Sequence, residues 1–304
     1  MKLWMGFVLI AEDLQQLENV FVGVLTHLVF VKRVVLALVI CPAKVEKGMQ
    51  IKKIGNSCLI QGDCIEAMQM LIEQGVKMDA VITSPPYNMN LRISRGRYIS
   101  RCHYSKHTEE FSTKYKNYND DLPMEQYFEF QKSFIEKALV LSPLLFYNIQ
   151  MITGNKIALF KLLGHFADKI KEVIIWDKEN GQPAMQNGVL NSQFEFIFVF
   201  SNDKPYNRMF EPSGFERGTE TNVWKIKRER NKEHKAAFPK ALIKRILENF
   251  IPEGSIVLDP FMGSGTTGVV CRDLKRKFIG IELDEDYYQI ACDRIQNETG
   301  KEDK

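Results

Sequence analysis

From Cys58 onward, short apolar runs alternate with amphipathic stretches, and few folds accept that order. SCLIQG, DAVITS, LLFYNIQMI, SIVLD and KFIGIEL read as strands. Residues 63–74, 124–139, 155–166, 238–250, 264–274 and 284–295 carry apolar side chains at helical spacing. Such alternation predicts an α/β fold, a mostly parallel sheet with helices on both faces. EVIIWD and FEFIFVF follow one another with no helix between them, so this pair is expected to be antiparallel. Two stretches fall outside the pattern. Residues 89–121 are polar and basic, and residues 202–235 end in KIKRERNKEHK. Loops this long in a compact domain tend to be functional or disordered.

A chain of 304 residues with 45% hydrophobic composition suffices for one large domain, or one with an insert. The net charge of +3 does not by itself demand a polyanionic partner. The six cysteines form no CxxC pair and no metal spacing, so they read as reduced thiols and no metal is expected. Residues 1–48 differ from the rest. Their apolar run is broken by His27, Lys32 and Arg33, which leaves no stretch of about 18–20 apolar residues for a membrane span. Glu12 and Asp13 come too early for a signal peptide. This segment reads as an N-terminal extension dispensable for chemistry, either capping the core or preceding a natural start at Met49. The catalytic domain is then 49–304.

SIVLDPFMGSGTTGVV is a strand, a glycine turn and a helix start, with Gly263, Gly265 and Gly268 at GxGxxG spacing. Glycines let the backbone turn tightly beside a ligand, and the helix start offers free N–H groups. Glu282 ends the next strand, placed to hold ribose hydroxyls. Val269 follows Gly268 where a Walker loop needs lysine, so nucleoside triphosphates are disfavoured. A carboxylate at Asp259 would repel a pyrophosphate and could pair with a cationic amino group. That combination suits S-adenosylmethionine; a helix cap is the plainer reading of Asp259. A dinucleotide stays open on the glycines alone.

VITSPPYN ends another strand with two prolines and an aromatic ring. The prolines stiffen the turn, and small misplacements of reacting groups cost rate. Tyr87 could stack on a flat, flipped base, and Ser84 could accept a hydrogen bond from an exocyclic amine, which would favour a pyramidal, nucleophilic nitrogen. Only about forty residues follow the glycine loop, so the rest of the sheet must come from the N-terminal side. Both motifs are then expected at the C-terminal edge of one sheet.

TSPPYN followed by DPFMGSGTT, with IQGDCIEAM, IIWDK, FEFIFVFS, HKAAFP and GIEL, resembles the bacterial DNA amino-methyltransferases in the permuted β order, across roughly residues 60–291. The resemblance implies a Rossmann-like S-adenosylmethionine-dependent methyltransferase fold. It implies catalysis by Ser84, Pro85, Pro86 and Tyr87. It places the cofactor on Asp63, Phe238, Asp259, Pro260, Phe261, Gly263, Ser264, Gly265, Thr266, Thr267 and Glu282. SPPY with serine, and HKAAFP, are more typical of the N4-cytosine branch than of the N6-adenine branch. The implied setting is a restriction–modification system in the bacterial cytoplasm, near the nucleoid. Double-stranded DNA is the partner, and a cognate endonuclease acts separately; monomer and homodimer both stay open.

Arg92, Arg95, Arg97, Arg101, Lys227 and Arg228 are candidates for phosphate contacts, and residues 178–235 for target recognition. Trp176 is either a wall of a base pocket or a packed indole. Trp224 and the alternating Phe194, Phe196, Phe198 and Phe200 read as core. C5-cytosine methylation is disfavoured, because the chain has Cys41-Pro42 rather than a Pro-Cys turn. RNA or protein substrates, a silent DNA-binding relative and a nicotinamide oxidoreductase are weaker alternatives.

Overall fold

The computed structural model describes residues 41–42, 44–89, 93–94, 97–98, 121–182, 187–204, 207–229 and 238–297. Arg92, Arg95, Arg101, the side chain of Arg97, HKAA of the HKAAFP motif and most of the 1–48 extension lie outside the described residues.

The elements run β1 (Gln50–Ile54), β2 (Ser57–Gln61), α1 (Cys64–Glu73), β3 (Ala80–Thr83), β4 (Ile93–Ser94), β5 (Arg97–Tyr98), α2 (Met124–Leu141), β6 (Leu144–Ile149), α3 (Lys156–His165), β7 (Ile170–Gln182), β8 (Ser192–Ser201), β9 (Val223–Lys225), α4 (Lys240–Phe250), β10 (Ile256–Asp259), α5 (Thr266–Asp273), β11 (Lys277–Glu282) and α6 (Glu285–Asn297). Nine strands make one sheet in the order β1-β2-β11-β10-β3-β6-β8-β7-β9. Its centre, from β2 through β11, β10 and β3 to β6, is parallel. The β7–β8 pair is antiparallel, as its missing crossover helix predicts. Short β1, paired antiparallel with β2, and β9, paired with β7, were not legible as strands.

Period-two alternation gives the sheet two covered faces. Phe146 packs on Phe250 of α4, while its neighbour Tyr147 packs on Phe134 of α2. Leu59, Ala80, Ile82 and Val257 join the α4, α5 and α6 side chains in one core cluster. The parallel strands are buried on both faces, which is why AVIT and IVLD carry no polar alternation.

The expectation of six reduced thiols needs correcting. Cys41 and Cys58 form a disulfide, because the segment entering β1 folds back beside β2 with the two Cα atoms 5.4 Å apart. Cys64, Cys271 and Cys292 are buried free thiols. No helix among the described residues is long and apolar enough to cross a membrane.

Candidate active site

Both motifs leave the same edge of the sheet. β10 and β3 are parallel neighbours, with Val257 opposite Ala80 and Leu258 opposite Val81. Thr83, the last residue of β3, donates its hydroxyl to Asp259 Oδ1 at 2.6 Å. Thr267 Oγ1 donates to Asp259 Oδ2 at 2.6 Å, and the Phe261 amide donates to Oδ1 at 3.2 Å. Asp259 therefore locks the glycine loop to the strand that carries SPPY. Burial pushes its carboxyl up to about 6, against the pull of its three donors. The expected pairing of Asp259 with a ligand's amino group is not what the structure shows. The residue is 1% exposed and both oxygens are engaged inside the protein.

The glycines divide their work. Gly263 sits at φ 50°, and a Cβ there would meet nothing within 4 Å, so this side of the loop is open. A Cβ on Gly265, at φ 79°, would lie 2.8 Å from Ala291 Cβ, and one on Gly268 would lie 2.5 Å from Ile295 Cδ1. These two let α5 approach α6 and β11. Arg294 donates to the Ser264 carbonyl at 2.7 Å, to Ser264 Oγ at 2.8 Å and to Thr266 Oγ1 at 3.3 Å. The side chains of Ser264, Thr266 and Thr267, three of the residues expected at the cofactor, brace the loop from within. Gly265 is the N-cap of α5 and offers no side-chain cap, so no side chain of its own occupies the amides of the first turn.

Around that open side, Glu282 accepts from the Gly263 amide at 2.8 Å and from the Asp284 amide at 2.9 Å. Burial pushes its carboxyl up to about 7. Asp63 Oδ1 caps α1 by accepting from Ile65 N at 2.8 Å and Glu66 N at 3.1 Å. Phe261 docks edge-on against Phe134, with ring centroids 5.2 Å apart, and Pro260 beside it is buried. Phe238 is partly buried against the core cluster.

The SPPY turn is clamped from behind. Pro86 offers its carbonyl to Tyr127 Oη at 2.9 Å and Gln131 Nε2 at 3.2 Å. Asn88 takes φ 57° and pairs with the Leu122 backbone in both directions, at 2.9 and 2.8 Å. Pro85 is buried, whereas Ser84, Pro86 and Tyr87 are half-buried. The Tyr87 hydroxyl lies 2.8 Å from Ser84 Oγ, 2.9 Å from Glu195 Oε2 and 3.2 Å from Asn148 Oδ1. Burial, then the Glu195 charge, push the phenol well above its ordinary range. Glu195 in turn pairs with Lys178 at 3.1 Å, and the lysine side chain is wholly buried.

Sequence reasoning missed Asn148, Lys178 and Glu195. A single acid inside the phenylalanine run FEFIFVF was the available signal. Trp176 resolves as a packed indole, buried and donating Nε1 to Ile226 O at 2.7 Å. Trp224 is buried as expected, but Phe194 is 43% exposed, in the first, less buried part of β8. Lys227 is exposed, 4.0 Å from Glu179, and Arg228 is exposed.

A family model for DNA methylase (N6_N4_Mtase) matches residues 78–293, more than half of the chain. The Type II methyltransferase M.SmaI of Serratia marcescens is 38% identical over 130 residues, 40% of this chain and 44% of that protein. The chain's match thus spans less than half the length of that relative. The Type II methyltransferase M.HpaI of Haemophilus parainfluenzae is 26% identical over 260 residues, 79% of this chain and 74% of that protein. Among solved structures, the PvuII DNA methyltransferase (cytosine-N4-specific) superposes with a TM-score of 0.59 at 18% identity, covering 82% of this chain and 89% of that one. The M1.HpyAVI–SAM complex superposes with a TM-score of 0.52 at 22% identity, covering 78% and 98%.

Proposed function

This chain belongs to the DNA methylase family of N6 and N4 enzymes, and from that premise we propose that it methylates the exocyclic amine of a flipped DNA base, most specifically cytosine N4, within a restriction–modification system. The observation that carries the reading is the 2.6 Å Thr83–Asp259 hydrogen bond, which joins an SPPY turn to a glycine-rich nucleoside loop.

S-adenosylmethionine fits the loop. Gly263 is open on one side, the α5 start is uncapped, and Glu282 keeps lone pairs for ribose hydroxyls. Two buried carboxylates, Asp259 and Glu282, make the same loop a poor seat for a pyrophosphate. When bound, the cofactor supplies an electrophilic methyl group.

The protein's own side chains handle the base. Tyr87 is anchored by its hydroxyl, so its ring orientation is fixed in advance for stacking. Ser84 accepts a hydrogen bond from the amine and draws the nitrogen toward a pyramidal, nucleophilic form. Serine at this position and the HKAAFP motif support cytosine N4. Adenine presents an equivalent amine beside a ring nitrogen, so N6 is the second product the geometry admits. We assign residues 49–304 to catalysis, 178–235 to target recognition and the exposed Lys227 and Arg228 to phosphate contact.

The test is transfer from labelled S-adenosylmethionine to unmodified genomic DNA, followed by digestion to nucleosides and mass analysis. N4-methylcytosine supports the full reading, and N6-methyladenine overturns the base assignment alone. No methylated nucleoside, with cofactor bound, overturns the DNA substrate.

A further inference from the structure

The most costly arrangement near the SPPY turn is one that its stacking role does not require. Lys178 on β7 and Glu195 on β8 form an ion pair at 3.1 Å, with side chains 0% and 10% exposed. A buried pair of this kind is weak support for stability, since hydrophobic replacements often match it. Its second carboxylate oxygen is aimed at the Tyr87 hydroxyl, 2.9 Å away.

The direction of the hydrogen bonds follows from counting protons. Tyr87 has one hydroxyl proton and two fixed acceptors, Glu195 Oε2 at 2.9 Å and Asn148 Oδ1 at 3.2 Å. Asn148 must present its oxygen here, because its Nδ2 donates to the Phe196 carbonyl at 3.0 Å. The charged and nearer acceptor takes the phenol proton. Ser84 Oγ, 2.8 Å from the same phenol oxygen, must then be the donor in that pair. With its only proton spent on Tyr87, the serine oxygen has nothing but lone pairs left for a substrate.

Resting on the methyltransferase reading above, we infer that the Lys178–Glu195 pair is a positioning and specificity device that polarises the Glu195–Tyr87–Ser84 chain, so that Ser84 meets the substrate as an acceptor only. Such a site takes an amino base, whose edge donates a hydrogen, and refuses a keto base, whose edge would face lone pairs. Neither residue touches the base.

Three variants test this. In Glu195→Gln, the amide oxygen stays with Lys178 and the amide NH₂ turns to Tyr87, so the phenol loses its charged acceptor, its proton is shared between Asn148 Oδ1 and Ser84 Oγ, and the Ser84 proton is no longer held on Tyr87. Tyr87→Phe keeps the ring and cuts the chain while leaving the ion pair whole. Lys178→Met with Glu195→Gln frees the amide to turn its oxygen back to Tyr87. Turnover is measured on unmodified genomic DNA, beside direct cofactor and DNA binding. The expected result is a fall in kcat of about a hundredfold for Glu195→Gln and for Tyr87→Phe, with both binding constants retained, and partial recovery in the double variant. Wild-type kcat in both single variants overturns the inference, as does a double variant no better than Glu195→Gln.

A second readout needs no turnover. The ring-carbon NMR signal of Tyr87, identified by its loss in Tyr87→Phe, is titrated in the ligand-free protein. Besides Glu195 and Lys178, the neutral Ser84, Asn148 and Tyr127 also face this phenol. Glu195→Gln is expected to lower the titration midpoint, and an unmoved midpoint overturns the polarised chain. If the wild type methylates no DNA but the midpoint moves, the substrate reading fails while the chain's polarity stands.

Discussion

Replacing Asp259 by asparagine should make stability depend less on pH, by an amount the structure sets. Burial raises this carboxyl from its ordinary 3.8 to about 6. A raised acid binds its proton more tightly in the folded state. Its contribution is therefore full below about pH 4 and is lost as pH rises through 6. The whole shift is worth about 3 kcal/mol, and the part between pH 8 and pH 5 is about 1.4 kcal/mol. Asparagine keeps an oxygen for Thr83 and Phe261 and turns its NH₂ toward Thr267, a rearrangement that costs about 1–2 kcal/mol. At pH 8 that cost is set against the relief of a buried charge, so the variant should nearly match the wild type. At pH 5 the wild type should be ahead by about 1.4 kcal/mol more. Removing the Asp259 charge also lowers the Glu282 carboxyl, which adds to the difference in the same direction. Urea unfolding at both pH values measures it, provided the slope m is unchanged. Parallel stability curves for the two proteins from pH 8 to pH 5 would refute the argument, because they would mean that Asp259 ionises as an exposed carboxyl does.

Other outcomes follow from the same geometry. Tyr87→Ala should keep cofactor affinity and lose most turnover, about a hundredfold, in steady-state assays with independent binding measurements. Gly265→Asp should lose cofactor binding and also lower Tm, because its Cβ meets Ala291 at 2.8 Å; overpacking of this kind costs about 1–3 kcal/mol. Gly263→Ala has open space around it, so calorimetry should show only the smaller strain of a positive φ, about 1–2 kcal/mol. Glu282 is neutral below about 7 and ionised above it, so cofactor affinity should rise through that pH by about fivefold as its hydrogen bonds gain charge. Glu282→Gln should flatten the rise in titrations run beside the wild type.

The fold was legible because burial on two faces writes itself into AVIT, IVLD and FIGIE, and because Asp63 marks a helix start with its own carboxylate. The meeting of the two motifs was legible for a simpler reason. A glycine loop with one strand after it has to borrow the rest of its sheet from the chain before it. What sequence could not give was the side each polar group faces. Asp259, Ser264, Thr266 and Thr267 stand in a ligand motif, yet their side chains turn inward, to Thr83 and Arg294 among others. Glu195 stands in a core strand, yet it reaches the reactive turn. Such choices depend on partners in other elements, 108 residues away for Glu195 and 176 for the Thr83 bond of Asp259, and local pattern carries no trace of them. β1 and β9 were missed because short edge strands show too few alternations to register.

The sheet order has a consequence for how the chain acquires its structure. β10 and β11, near the end of the sequence, fill the gap between β2 and β3, which are made some two hundred residues earlier. Until residues 256–282 leave the ribosome, β2 and β3 have open flanks and apolar faces with nothing to pair. The contacts that join them span most of the chain, and such topologies fold slowly and pass through aggregation-prone species. Nascent chains stalled before Ser255 should therefore remain protease-sensitive throughout, and the shift to resistance should come in a single step as the last strand enters the middle of the sheet.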